Sequence, residues 1–160
     1  VTPAGRRKLA AAIAALVVVF DQASKQWALA MFRGGERMEI LPFLDFTLAW
    51  NRGVSFGLFG AGGVPPWAFI VVALAISSFL GWLVWQAENR LQAYGYAGII
   101  GGAIGNVIDR AVHGAVVDFV LVYWGAWRFP VFNLADTAIT LGVIIVIIDS
   151  LWPGRASTTS

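Results

Sequence analysis

Four apolar stretches, parted by polar, glycine or proline positions, set the pattern of this chain. The first runs from Leu9 to Phe20 and continues, through Asp21, Ser24 and Lys25, to Phe32. Arg6, Arg7 and Lys8 ahead of it resemble the start of a secretory signal, but no small-x-small cleavage site follows cleanly. The continued pattern predicts a retained helix over about residues 9–30. About 20 apolar residues span a bilayer's hydrocarbon core, so this helix is long enough to cross. Pro65 and Pro66 open a second helix at about 67–86, since proline suits a first helical turn. After Glu88, Asn89 and Arg90, a third is expected at about 91–108. Its Gly98-xxx-Gly102 and Gly101-xxx-Gly105 spacings allow close helix contact. A fourth follows Asn133, at about 134–152, and residues 154–160 read as a short polar tail without structure. Residues 33–66 differ from the rest. ILPFLDFTLAW at 40–50 partly alternates and favours short strands, Asn51-Arg52-Gly53 reads as a turn and 60–66 as a loop.

Composition turns these elements into a class. Of 160 residues 59% are hydrophobic and 12% charged, and mean hydropathy is +0.75. A soluble domain carries roughly twice that charged fraction. The expectation is one integral membrane domain over residues 1–160: an all-α bundle of four transmembrane helices with a small β element outside the bilayer. Trp27, Trp67, Trp124 and Trp127 mark one interface and Trp82, Trp85 and Trp152 the other. Four spans put both termini on one side, with Arg6, Arg7, Lys8, Arg90 and Arg155. Lys25, Arg33, Arg37, Arg52, Arg110 and Arg128 fall at the opposite end, so the count alone leaves orientation undecided. The basic cluster next to the first helix dominates by rule, which places the termini in the cytoplasm. Net charge is +2, and the scattered lysines and arginines form no basic stripe, so nucleic acid is not an expected partner. With no cysteine and His113 as the one histidine, the usual ligands of a zinc hydrolase are missing. His113 itself reads as a loop residue.

Carboxylates beside membrane spans are costly and therefore functional candidates. Asp21, Ser24 and Lys25 share one helix face at i, i+3 and i+4. Asp21 lies within the span and must face protein or water, and Lys25, one turn further out, is expected to snorkel. Asn106, Asp109 and Arg110 share a face of the third helix, and Asp109 with Arg110 reads as a structural tie, as does Asp21 with Lys25. Asp136 follows Asn133 by three, which fits a helix cap as well as chemistry. Asp118, in the apolar run VVDF, has no evident local partner. Two such acids at the outer mouth of the bundle would suit an aspartic-protease pair sharing one proton. Spacing leaves open whether Asp118 and Asp136 meet. A proton-coupled transporter, with acids strung across the bilayer, and a non-catalytic packing subunit are the alternatives.

Five blocks carry a resemblance: DQASK (21–25), NRGVSFG (51–57), GNVIDR with Asn106 to Arg110, GAVVDF (114–119) and FNLADT (132–137). In this order, on four spans, they resemble the bacterial signal peptidase II family, membrane aspartic peptidases. The resemblance implies four transmembrane helices and a periplasmic β-cradle at about 33–66. It implies Asp118 and Asp136 as the catalytic pair, without metal or cofactor. By motif, Asp21, Asn51, Gly53, Asn106, Arg110 and Asn133 match the family's substrate-binding and supporting positions, while the reading of the residues themselves assigns Asp21, Lys25 and Asp109 to structure. The implied substrates are prolipoproteins, cut just before a diacylglyceryl-modified cysteine. Membrane lipids and the inhibitor globomycin are the other implied ligands. The implied location is the bacterial cytoplasmic membrane, with the site at the periplasmic face and the chain acting as a monomer.

Overall fold

The computed structural model describes residues 2–53 and 64–151. Their order is α1 (Pro3–Met31), β1 (Arg37–Leu41), β2 (Leu44–Asn51), α2 (Pro66–Gln86), α3 (Arg90–His113), β3 (Val116–Trp124), β4 (Trp127–Arg128) and α4 (Leu134–Leu151). Residues 54–57 of the NRGVSFG block, most of the expected loop at 60–66, Trp152 and the tail at 154–160 lie outside the described residues.

The first helix starts at Pro3 rather than near Leu9. The Thr2 hydroxyl caps it, accepting the Gly5 N–H at 3.2 Å, and proline fills the first turn. Arg6 and Arg7 are therefore helical. They donate to the carbonyls of Glu88 (2.9 Å) and Trp85 (2.8 Å), and the Arg7 guanidinium lies 3.7 Å over the Trp85 ring. The last carbonyls of a helix lack partners within it and favour cations, so the basic cluster closes the end of α2. At the same end Asn89 caps α3 through the Gln92 N–H (2.8 Å) and donates to Asp149 of α4 (2.7 Å).

Packed against each of the other three helices, α3 is the centre of the bundle. Its glycines make this possible. A Cβ on Gly102 would collide with the Ala135 carbonyl of α4, and one on Gly105 with the Asp21 carboxylate of α1. The small-residue spacings thus serve two neighbours, one on each side. Deeper in the bundle, Ala10, Ala87, Ala93 and Ala97 form an alanine core. Outward, Val19 and Phe20 of α1, Val72, Phe79, Trp82 and Trp85 of α2, and Ile147 and Leu151 of α4 are each more than half exposed. An apolar belt of this kind does not suit water. Two helices, α2 and α4, are long and apolar enough to cross a membrane. The charged residues of α1 and the glycines and charges of α3 lower the mean hydropathy of those two.

The strands form one antiparallel sheet in the order β1-β2-β3-β4. The 40–50 stretch supplies the end of β1 and most of β2, but β3 and β4 come from the segment after α3, outside the β element expected at about 33–66. VVDFVL, the first six residues of β3, escapes the strand pattern because both its faces are largely covered, so it reads as a continuous apolar run without alternation. Asp118 therefore sits on a strand, opposite Ala49, and Asn51 pairs with Val116. At the α1 end Trp27 meets Phe32 (5.4 Å) and, on the sheet, Phe46 (5.5 Å) and Phe119 edge to face, and Phe46 meets Phe119 in the same way. That aromatic knot seats the sheet on the end of the bundle.

Candidate active site

Asn133 is the residue on which the site is built. Its side-chain carbonyl accepts the Asp136 N–H at 2.9 Å, and its own N–H reaches the Asp136 carboxylate at 3.3 Å. This is a reciprocal cap with the acid at the third helical position. The Asn133 amide nitrogen faces the other way and donates to Asp118 Oδ1 at 2.6 Å, with Asn106 Oδ1 at 3.2 Å. One wholly buried amide thus joins the acid of β3 to the acid of α4. The capping role and a place beside Asp118 are compatible, because cap and link use different atoms of one side chain.

Asn106 of α3 donates to Asp136 Oδ1 at 2.9 Å. Asn51 hydrogen-bonds the Asp118 carboxylate while its own carbonyl accepts the Gly53 N–H at 2.9 Å. Gly53 needs to be glycine twice over. Its φ is +101°, and a Cβ would stand 2.5 Å from the Phe69 ring. The same ring lies 5.0 Å from the Arg110 guanidinium, whose charge reaches toward Asp136 and Asp118. Asn51, Asn106, Arg110 and Asn133 therefore act on the two acids, and Gly53 stands behind Asn51.

Beneath lies an ion cluster. Lys25 pairs with Asp21 and with Asp109 at 2.8 Å each, and all three are nearly or wholly buried. The Asp21–Lys25 tie forms as expected, but Lys25 does not snorkel: three acceptors hold it inside. Asp109 does not tie to Arg110, since adjacent helix residues point apart. It takes Lys25, the Gln22 amide (2.9 Å) and the Val117 N–H (3.0 Å) instead. His113 is the last residue of α3 rather than a loop residue, and its ring meets Trp50 at 5.5 Å. Sequence reading missed Gln22 and Phe69, because a lone amide or aromatic in an apolar helix carries no distinguishing signal. It also missed the buried Asp45, which pairs with Arg37 and accepts the Tyr123 hydroxyl at 3.2 Å.

Burial pushes the Asp118 carboxyl up from 3.8 to about 6, and the like charge of Asp136 adds to the rise. Donors from Asn51 and Asn133 and the Lys25 charge oppose it. A raised folded-state pKa gives stability that is complete below pH 4 and is lost as pH climbs through 6. At alkaline pH the cost is roughly 3 kcal/mol. Asp118→Asn is therefore expected to unfold at higher temperature than wild type at pH 8, with the advantage gone below pH 4. Thermal unfolding across pH checks this.

Between α1 and α4 runs an apolar groove of about 640 Å³, walled by Ile13, Leu16, Phe20, Ala23, Leu134 and Leu141. Thr137 and Ser24 also line it, and Leu134 and Thr137 flank Asp136 in the chain.

Fold and site together define a class: an apolar helical bundle with a sheet across one end and an acid pair at the join. Two solved structures, both described as a bacterial membrane enzyme determined by the in meso method, share this fold. One has a TM-score of 0.77 at 29% identity, covering 96% of this chain and 94% of that one. The other has 0.80 at 30%, covering 94% and 95%. A protein of Shewanella baltica named lipoprotein signal peptidase is 42% identical over 151 residues, 92% of this chain and 88% of its own length. One of the same name from Shewanella oneidensis is 44% identical over 147 residues, 90% and 86%. The family described as signal peptidase (SPase) II matches residues 13–152, and the chain belongs to that family.

Proposed function

We propose that this protein is an aspartic endopeptidase that removes signal peptides from diacylglyceryl-modified prolipoproteins, cutting just before the lipidated cysteine. Asp118 and Asp136 are the catalytic pair. The observation that supports the reading is the Asn133 side chain, which donates to the Asp118 carboxylate and accepts the backbone N–H of Asp136, tying together two acids from separate elements. The pair shares one proton. Its ionised member takes a proton from water as that water attacks the peptide carbonyl, and the protonated member hydrogen-bonds the carbonyl oxygen, then assists the leaving amine. Asn106 and Asn133 keep the acids oriented. Asn51, Gly53 and Arg110 contact the substrate, where arginine's fixed fork of donors suits backbone or ester carbonyls.

All four helices span the bacterial cytoplasmic membrane, with both termini in the cytoplasm and the sheet at the periplasmic face. The sheet clamps the substrate from above, and globomycin competes for the same site. This arrangement answers a physical need. A diacylglyceryl substrate cannot leave the bilayer cheaply, since each buried CH₂ is worth about 0.8 kcal/mol, so the acids must stand where lipid ends. The α1–α4 groove offers one acyl chain a path that finishes beside Asp136. Narrowing it with Ala23→Phe is expected to raise KM about ten-fold, the equivalent of roughly two lost methylene contacts, and to leave kcat nearly unchanged. Steady-state kinetics decide this.

The test of the function is cleavage by the purified protein of a precursor with and without its diacylglyceryl group. Only the lipidated form should be cut, at the bond before the cysteine. Equal cleavage of both, or of neither, refutes the proposal.

A further inference from the structure

We infer that Lys25 is the positioning residue of the acid pair, setting both the separation of the two acid-bearing segments and the direction of the Asn106 amide. The inference rests on the reading of Asp118 and Asp136 as catalytic.

The first half follows from where the cluster's outer atoms go. Lys25 is 1% exposed and bonds Asp21 Oδ2 (2.8 Å), Asp109 Oδ2 (2.8 Å) and Asn106 Oδ1 (2.9 Å). An ammonium has three N–H donors, and all three are used. Asp21 Oδ1 then accepts the N–H of Ala135 at 2.9 Å, the residue before Asp136. Asp109 Oδ2 accepts the N–H of Val117 at 3.0 Å, the residue before Asp118. Each acid of the pair thus has its neighbouring peptide gripped by a carboxylate, and both carboxylates close on one cation. Without that cation the two gripping carboxylates would repel each other inside the protein.

The second half is an argument about donors and acceptors. An ammonium cannot accept a hydrogen bond, so Asn106 must turn its carbonyl oxygen to Lys25. The Asn133 amide nitrogen donates to that oxygen as well. The Asn106 NH₂ is then obliged to face Asp136 Oδ1. A flipped amide would aim a carbonyl oxygen at a carboxylate and lose all three bonds. Lys25 therefore acts on Asp136 through one amide, without touching it.

The test uses the purified full chain and a diacylglyceryl-modified precursor peptide. The variant is Lys25→Met combined with Asp109→Asn. This pair of changes keeps the net charge of the cluster and leaves an acceptor for the Val117 N–H. Asp109→Asn alone supplies the baseline. Relative to it, kcat should fall roughly 100-fold, as for a displacement of about 1 Å at a reacting centre, with KM changed less than about two-fold. The groups acting on Asp118 are Asp136 from α4, Lys25 from α1, Arg110 from α3 and the amides of Asn51 and Asn133, with Asp109 of α3 on the adjoining Val117 N–H. Losing the lysine charge from this set should move the alkaline limb of the kcat profile up by at least about half a pH unit. An unchanged kcat overturns the inference. So does a lower kcat with an unmoved limb, which would make Lys25 a mechanical part of the bundle. If the double variant does not fold, Lys25→Met alone takes its place. Unfolding of both beside a folded Asp118→Asn would make the lysine a folding element and end the inference. Cleavage retained by Asp118→Asn removes the acid-pair reading instead.

Discussion

Asparagine at position 118 or at position 136 is expected to lower cleavage of a lipidated precursor by about a thousand-fold or more, with the protein still folded. General acid–base catalysis by a placed group is worth roughly 10² to 10⁴, and an amide can neither take nor release the proton that the proposed mechanism requires the pair to move. Structure should survive in both cases. At 118 the asparagine carbonyl can still accept from Asn133. At 136 one carbonyl must serve where two carboxylate oxygens accepted from Asn106 and Asn133, a loss of about 1 kcal/mol. The double variant should be no worse than either single one, because the two acids act as a unit. Single-turnover cleavage, read by mass spectrometry beside a thermal unfolding curve, measures all three. Near-wild-type cleavage by either single variant would dismiss the pair.

The largest loss of stability is expected at Asp21, which does no chemistry in this scheme. Asp21→Ala removes one of the two carboxylates around a fully buried lysine and leaves the Ala135 N–H without its acceptor. Breaking a buried ion pair from one side costs about 3–5 kcal/mol. Asp21→Asn should cost less, since its carbonyl can still accept from Ala135. The two unfolding free energies, compared in detergent, decide the matter. An alanine variant within about 0.5 kcal/mol of wild type would mean that the cluster does not hold the bundle together.

What could be read from the sequence follows physical lines. Long apolar runs and helix-end chemistry are local signals, so α2, α4 and the Asn133–Asp136 cap were visible there. The two-fold glycine spacing also announced a close contact, though not that Gly102 and Gly105 serve different neighbours. The strand carrying Asp118 was hidden, because a segment covered on both faces loses the alternation that marks strands. Partner choice in the ion cluster was hidden as well. Sequence adjacency suggested Asp109 with Arg110, whereas the close approach of α1 to α3 at Gly105 delivers Lys25 to Asp109. The same packing explains why Lys25 stays inside. A snorkelling lysine needs a free path to water, and the helix contact that brings it three acceptors also removes that path.

The glycine and alanine interior of the bundle bears on a different property, permeability. Among the described residues, the buried charged and amide side chains, from Asp21 and Lys25 to Asn133, all lie at the sheet end, and below Gly101 the buried core is alanine and glycine with Ile13, Val84 and Tyr94 packed against it. In the orientation proposed above, a hydrogen ion arriving at the acids would find, among the described residues, no chain of buried charged or amide side chains leading on to the far end of the bundle. On that reading the acids can work with water at one mouth of the bundle while its interior offers no charged relay across the membrane.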